Sequence, residues 1–111
     1  MPKVYVPQQP SRYDSTVSLW VPTMNLDPAK KHGALIIMFP PEGNRLSTGP
    51  LVAAMKHAMR DYSHDDFIVA VGDPSLIAAA ACIACRATKG LLRMLKWDRM
   101  TSDYVTVEMT I

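Results

Sequence analysis

Apolar and polar positions alternate between two periods over residues 34–111. The run ALIIMF is closed by two prolines and a glycine, a pattern typical of a strand buried on both faces. Apolar residues then recur at three- and four-residue spacing from Leu51 to Tyr62. That spacing predicts an amphipathic helix, with Ser47 or Thr48 before Pro50 as its start signal.

The same order of elements follows a second time and then changes. The segment DDFIVAVGD predicts a short apolar strand, and PSLIAAAACIACRATKG predicts a helix that Gly90 ends. Two further strands, LLRMLKW and YVTVEMTI, are spaced as a hairpin. In the last strand alternation predicts that one row faces the core and the other faces water. The predicted core row is Val105, Val107, Met109 and Ile111, and the predicted wet row is Tyr104, Thr106, Glu108 and Thr110.

The element order β-α-β-α-β-β predicts an α/β domain over residues 34–111. Strands that alternate with helices favour a small, mainly parallel sheet, to which the last two strands add a C-terminal antiparallel hairpin. The number of layers, two or three, depends on whether both helices lie on one face of this sheet.

Residues 1–33 contain five of the nine prolines, which leaves little room for regular helix. We therefore expect an extended Pro-rich N-terminal arm. Within it, VSLWVPT is a candidate edge strand. The stretch LDPAKKHG predicts one helical turn, with Asp27 as N-cap, Pro28 at the first position and Gly33 as terminator.

Composition places the chain among ordinary globular proteins. It has 111 residues, 49% of them hydrophobic and 20% charged, enough for one domain with its own core. No apolar run is long enough for a membrane span, and the first fifteen residues lack the apolar middle of a signal peptide. Cys82 and Cys85 are the two cysteines, and their spacing excludes a disulfide framework. We expect a cytoplasmic location with no membrane partner.

The turn Gly72, Asp73 and Ser75 is the first candidate ligand site. It lies where a parallel sheet points helix N–H groups at anions, so it is a possible anion or nucleotide site. The spacing matches neither a dinucleotide loop nor a phosphate loop. Helix capping by Asp73, with Pro74 at the first position, is the favoured interpretation. The CIAC motif two turns further on is interpreted as small buried residues, not as a redox pair.

Charge is segregated along the chain, although the net charge of +2 is too small to imply a polyanionic partner. A basic segment with one aromatic residue is a possible nucleic-acid contact surface; it comprises Arg86, Lys89, Arg93, Lys96, Arg99 and Trp97. Strand alternation weakens this interpretation and favours a charged, solvated edge strand. Complementary patches are also compatible with self-association.

Catalytic and metal-binding patterns are weak. The stretch DYSHDD holds Asp61, His64, Asp65 and Asp66, but turn residues before a strand explain it equally well, and we predict no metal. The three histidines lie in separate segments, and no nucleophile motif or cofactor fingerprint is present. We predict no catalytic residues and no cofactor.

Three stretches of residues 33–99 form a recognisable set: the PPE turn, VAVGDPSLIAAAA and the closing MLKWDR. With them, residues 33–99 resemble a family of small proteins encoded by tailed bacteriophages. The resemblance implies a viral accessory protein in the host cytoplasm and brings no catalytic residues with it.

Three functions follow, in order of preference. The first is a non-enzymatic accessory protein that binds a host or viral protein or copies of itself, which the short chain, the arm and the eight methionines favour. The alternative is a nucleic-acid-associated protein that uses residues 86–99. The third is a small nucleotide-binding protein or enzyme at the helix start 73–75.

Overall fold

The computed structural model describes residues 2–41 and 48–111. Its elements, in chain order, are β1 (Lys3–Gln8), β2 (Ser11–Asp14), β3 (Leu19–Pro22), a 3-10 helix (Asp27–His32), β4 (Ala34–Phe39), α1 (Thr48–Ala58), β5 (Phe67–Val69), α2 (Pro74–Thr88), β6 (Leu91–Asp98) and β7 (Asp103–Thr110). Ser47 and Glu42, which the predicted helix start and the PPE turn include, lie outside the described residues.

The main sheet has five strands in the order β4-β1-β5-β6-β7. β1 is parallel to both β4 and β5, and β5 is parallel to β6, whereas β6 and β7 form an antiparallel hairpin. The predicted mainly parallel α/β sheet with a C-terminal hairpin is therefore confirmed.

The first strand corrects the prediction of an extended arm over residues 1–33. β1 lies inside the sheet, between β4 and β5, and Val4, Tyr5 and Val6 are no more than 1% exposed. These β-branched and aromatic residues are strong strand formers. Pro7 follows this run but does not interrupt β1. Val6 and Gln8 each have a residue partner on β4, and Pro7 between them has none. Part of the expected arm is thus the centre of the core.

The insertion of β1 also changes the position of β4. ALIIMF was predicted to be buried on both faces, but β4 is an edge strand, and Ile37 is 48% exposed. The prediction of burial on both faces is wrong, because β1 takes the interior position that the sequence pattern assigns to β4.

Both helices pack on the same face of the main sheet. Met55 of α1, Met59 directly after that helix, and Ala80 and Ala84 of α2 are buried there against sheet residues that include Ile68. The 3-10 helix and the segment before it cover the opposite face. Three layers result, and the third is thin. The buried side chains of that second face are Val4, Val6, Leu26, Ala29, Phe67, Val69, Val71, Leu95 and Tyr104.

The predicted burial of the last strand is wrong for the apolar row and for Tyr104, whereas Thr106, Glu108 and Thr110 are exposed as predicted. Tyr104 is 3% exposed, while Val105, Met109 and Ile111 are 39%, 43% and 79% exposed. Tyr104 packs against Trp97, and its hydroxyl donates to the Asn25 carbonyl on the non-helix face. The helix-face row stays exposed because α2 packs mainly over β6, β1 and β5.

Two smaller predictions are also corrected. VSLWVPT contributes β3, which pairs with β2 in a separate two-stranded sheet and not at the edge of the main one. The turn LDPAKKHG forms the 3-10 helix with Leu26 as its N-cap, and Asp27 is its first residue. Gly33 ends this helix as predicted, because its N–H donates to the Lys30 carbonyl.

Candidate functional site

The carboxyl ends of β1 and β5 meet at the point where the strand order reverses. In open parallel sheets this reversal leaves a crevice in which ligands commonly bind. Gln8, the last residue of β1, occupies that place and is 8% exposed. Its amide nitrogen donates to the carbonyls of Pro40 and Pro41, at 3.1 and 3.3 Å, and its amide oxygen accepts from the Asp73 N–H at 3.1 Å. Gln8 therefore joins the ends of β1, β4 and β5.

Gly72 fits against Gln8 because it has no side chain. Its φ of +99° is a conformation that glycine adopts readily. A Cβ at this position would lie 2.7 Å from both the Cβ and the carbonyl oxygen of Gln8. The tight turn predicted at Gly72 thus allows the chain after β5 to lie close against the end of β1.

Asp73 caps α2, as predicted. One carboxylate oxygen accepts from the Ser75 N–H at 2.9 Å and from the Ser75 hydroxyl at 2.6 Å. The helix N-terminus is therefore already supplied with a negative charge, which an incoming anion would have to displace. Anion binding at Gly72, Asp73 and Ser75 stays a prediction.

A cleft of about 270 Å³ opens beside this turn, between the main sheet and the β2–β3 hairpin. Its lining is neutral and polar, with one indole ring. The lining residues are Gln8, Gln9, Pro10, Ser11, Trp20, Thr23, Pro41 and Gly72. The lining side chains offer hydrogen bonds and stacking, but none of them is a general acid or base at neutral pH.

The residues of the basic segment do not form one ridge. Arg93 lies on the non-helix face, where its guanidinium stacks 4.1 Å from the centre of the Phe67 ring and donates to the His64 carbonyl. Lys96 lies on the opposite face of β6, because it is an odd number of residues away. Trp97 packs edge-on against Tyr104, with ring centroids 5.0 Å apart.

The other three bases lie at the two ends of β6. Arg86 and Lys89 are at the end of α2, just before β6 begins, and Arg99 follows the last residue of β6. Eight residues of strand separate these ends by about 26 Å. Nucleic-acid binding by residues 86–99 stays a prediction, and a bound strand would need to contact separate faces.

The stretch DYSHDD is organised by Asp66, which is 1% exposed. Its carboxylate accepts from the backbone N–H groups of Lys3 and Ser63, both at 2.9 Å, and pairs with the Lys3 ammonium at 3.4 Å. Asp66 therefore anchors the start of β1 to the loop before β5. Over residues 2–41 and 48–111, no three His, Cys, Asp or Glu side chains are grouped to hold a metal ion.

Tyr62 packs beside this anchor and provides a pH-dependent prediction. Its hydroxyl donates to the Asp66 carbonyl at 3.2 Å, and burial, helped by the negative charge of Asp66, raises its pKa to about 12. Tyrosine in the unfolded chain ionises near pH 10.0. The stability due to this raised pKa is therefore complete below pH 10 and is lost as the pH rises toward 12.

We expect Tyr62→Phe to lack this alkaline loss. The difference in free energy of unfolding between wild type and Tyr62→Phe should shrink as the pH rises from about 10 to 12. Urea unfolding at a series of pH values measures that difference. If the free energies of unfolding of wild type and Tyr62→Phe differed by the same amount at every pH, the prediction would be wrong.

The two cysteines of CIAC differ in position: Cys82 lies on the outer side of α2, and Cys85 packs at the margin of the core. Cys82 is exposed and Cys85 is half-buried, and both thiols are free. The interpretation of CIAC as buried residues is wrong for Cys82. The buried side of α2 follows four-residue spacing through Leu76, Ala80 and Ala84, and Cys82 lies half a turn away from it.

An exposed apolar surface on the β2–β3 hairpin was missed by sequence reasoning. Tyr13, Val17, Leu19 and Trp20, which we together call the hairpin surface, are 52%, 55%, 62% and 41% exposed. Tyr13 and Trp20 share one face of the hairpin, and Leu19, next to Trp20 in β3, lies on the other. Tyr13 and Trp20 are cross-strand partners whose ring centroids are 5.7 Å apart. The available signal was the alternation of large apolar and polar residues in SRYDSTVSLWVP, which the prolines on both sides obscured.

A family model described as phage Pam3 gp32-like protein matches residues 2–111. The chain belongs to the phage Pam3 gp32-like protein family. The resemblance to bacteriophage proteins is confirmed, and the match extends beyond residues 33–99 to include β1 and the hairpin surface. No curated protein and no solved structure matches the chain.

Both α1 and α2 are shorter than a helix that spans a membrane. In the part of the chain that the structure describes, no helix combines the length and the apolar character that a bilayer crossing requires.

Proposed function

We propose that this phage protein is a non-enzymatic accessory protein that binds another protein through the hairpin surface. The observation that carries the proposal is the exposure of four large apolar side chains on one small hairpin. Tyrosine and tryptophan are enriched at protein interfaces because they bury a large area at a small cost in conformational entropy. Isolated exposed apolar residues are common, but a group of them on one hairpin suggests a contact surface.

The structure of the hairpin itself supports the proposal. Within residues 2–41 and 48–111, β2 and β3 pair only with each other and pack little against the other elements. A two-stranded hairpin is marginally stable alone in water. Contact with a partner would therefore bury the aromatic pair Tyr13 and Trp20 and stabilise the hairpin at the same time.

The cleft beside the hairpin favours binding over catalysis. Asp73 is engaged in capping α2, and the side chains that line the cleft bring no acid or base to it. We place the partner, a host or a viral protein, in the cytoplasm of the infected cell, in line with the sequence-based expectation.

Photo-crosslinking in phage-infected cells tests the proposal. A photoreactive amino acid replaces Tyr13, which is 52% exposed on the same hairpin face as Trp20, and in a matched control it replaces Val52, which is 37% exposed on α1. We expect a discrete protein adduct from position 13 and none from position 52. The adduct should also disappear when Trp20→Ser is added. Adducts of equal yield at both positions, or no adduct at position 13, would reject the proposal.

A further inference from the structure

β7 is an edge strand with an apolar row that its own chain leaves exposed. Its strand partner among the described residues is β6, so the other side of its backbone is unpaired. Val105, Val107 and Met109 lie on the helix face, opposite Lys96, Met94 and Leu92 of β6. An apolar row such as that of β7 is typical of a strand whose face is covered, but α2 packs mainly over β6, β1 and β5.

The sequence of β7 is complementary to itself in one antiparallel register. With a twofold axis through Val107, Val105 of one copy lies opposite Met109 of the other, and the two Val107 side chains meet at the axis. Such an axis, perpendicular to the sheet, keeps both helix faces on the same side, so the apolar rows become continuous. On the other face Glu108 lies opposite Thr106 of the second copy. An axis through Glu108 would instead place two carboxylates opposite each other, which is unfavourable.

The ends of the strand pair are complementary in charge. Asp98 and Asp103 are residue partners at the end of β6 and the start of β7, and Asp103 also forms an ion pair with Lys31 of its own chain, so this end carries two carboxylates against one ammonium. At the other end, the Gly90 carbonyl accepts from the Ile111 N–H, directly after the exposed Lys89. The register through Val107 places Asp103 of one copy opposite Ile111 of the other, one strand away from Lys89 of that copy. Neighbouring strands are about 4.8 Å apart, so acidic and basic ends lie within side-chain reach, twice in each dimer.

We propose that the protein forms a twofold-symmetric dimer in which β7 pairs with β7 of a second copy, with the axis at Val107. The five strands of each copy then form one continuous sheet, and each edge that β7 leaves open is closed. This interface is separate from the hairpin surface, so it goes beyond the proposed function, and either can fail without the other.

Solution mass measured by light scattering over a dilution series tests the proposal. Thr106 is exposed and lies opposite Glu108 of the second copy in the proposed register. A charged side chain introduced at position 106 would therefore attract or repel Glu108 at two contacts in each dimer. We expect Thr106→Lys to tighten dimerisation and Thr106→Glu to raise its dissociation constant, each by about 3- to 10-fold. Thr110→Lys and Thr110→Glu are the matched controls, because Thr110 lies opposite the neutral Tyr104, and they should not differ by charge sign.

Four results would overturn the proposal. A monomeric wild type at every concentration is one, and a dimer whose affinity ignores the charge at position 106 is another. The third is a dimer lost on Trp20→Ser, which would place the contact at the hairpin surface instead. Hydrogen exchange of the wild type supplies a test without any variant: backbone amides of residues 103–110 on the outer side of β7 should lose protection on dilution. Protection that does not depend on concentration would also reject the dimer.

Discussion

Replacement of Asp66 by alanine is expected to lower the free energy of unfolding by about 3–4 kcal/mol. The carboxylate is 1% exposed and accepts from two backbone N–H groups, those of Lys3 and Ser63. Without it, both N–H donors lose their acceptor in a site that water does not readily reach, and the Lys3 ammonium keeps only the Asp61 carbonyl. Urea unfolding measures the loss as a shift of the transition midpoint.

Asp65→Ala is the matched control for this prediction. Asp65 is the preceding residue and carries the same side chain, but it is exposed. Its replacement should change the free energy of unfolding by less than about 0.5 kcal/mol. Asp66→Asn should fall between the two, because an amide oxygen keeps one acceptor but gives up the charge. Equal losses for Asp65→Ala and Asp66→Ala would show that the anchor is not what joins β1 to the loop before β5.

Local chemistry in this chain was predictable, whereas its long-range contacts were not. Asp73 and Ser75 are two residues apart, so the helix cap could be predicted from the order of residues alone. The bonds from Lys3 to Asp66 and from Asp73 to Gln8 join residues 63 and 65 positions apart. Such pairs depend on the strand order, which no periodicity contains. The candidate crevice could thus be placed at Gly72, but its main occupant, Gln8, could not.

Periodicity predicts which side chains share a face, but it does not predict what covers that face. In β7 the alternation correctly separates Tyr104 from Val105 and Met109. The sequence then favours the apolar row as the buried one, and the structure buries Tyr104 instead. The difference arises because two helices cannot cover all five strands on one face. The uncovered apolar row is the observation from which the dimer was proposed.

The interior position of β1 was hidden by proline. Five prolines in 33 residues argue against regular structure on average, but each proline removes one donor only. Pro2 and Pro10 lie outside β1, and Pro7 takes a position without a residue partner on β4. The run VYV between them is as strong a strand signal as the run FIV of β5.

Tyr5→Ala tests this interior position directly, and we expect it to lower the free energy of unfolding by about 3–5 kcal/mol. Tyr5 is 1% exposed, and its ring lies 5.4 Å from that of Tyr62 on the helix face of the sheet. Truncation to alanine removes the ring from the main core and leaves a cavity that helices packed on one side cannot fully close. Thermal and urea unfolding, followed by circular dichroism, measure the loss.

Tyr13→Ala is the control, because Tyr13 lies in the same proline-rich segment but is 52% exposed on the hairpin. It should cost less than about 1.5 kcal/mol, mainly through its contact with Trp20. A peripheral arm would make the two substitutions similar in effect, since neither ring would then belong to the core. If the two substitutions lowered the free energy of unfolding by nearly the same amount, β1 would not lie at the centre of the sheet. Tyr5→Ala lowers the free energy of unfolding several times more than Tyr13→Ala only if β1 is an interior strand with core side chains on both faces of the sheet.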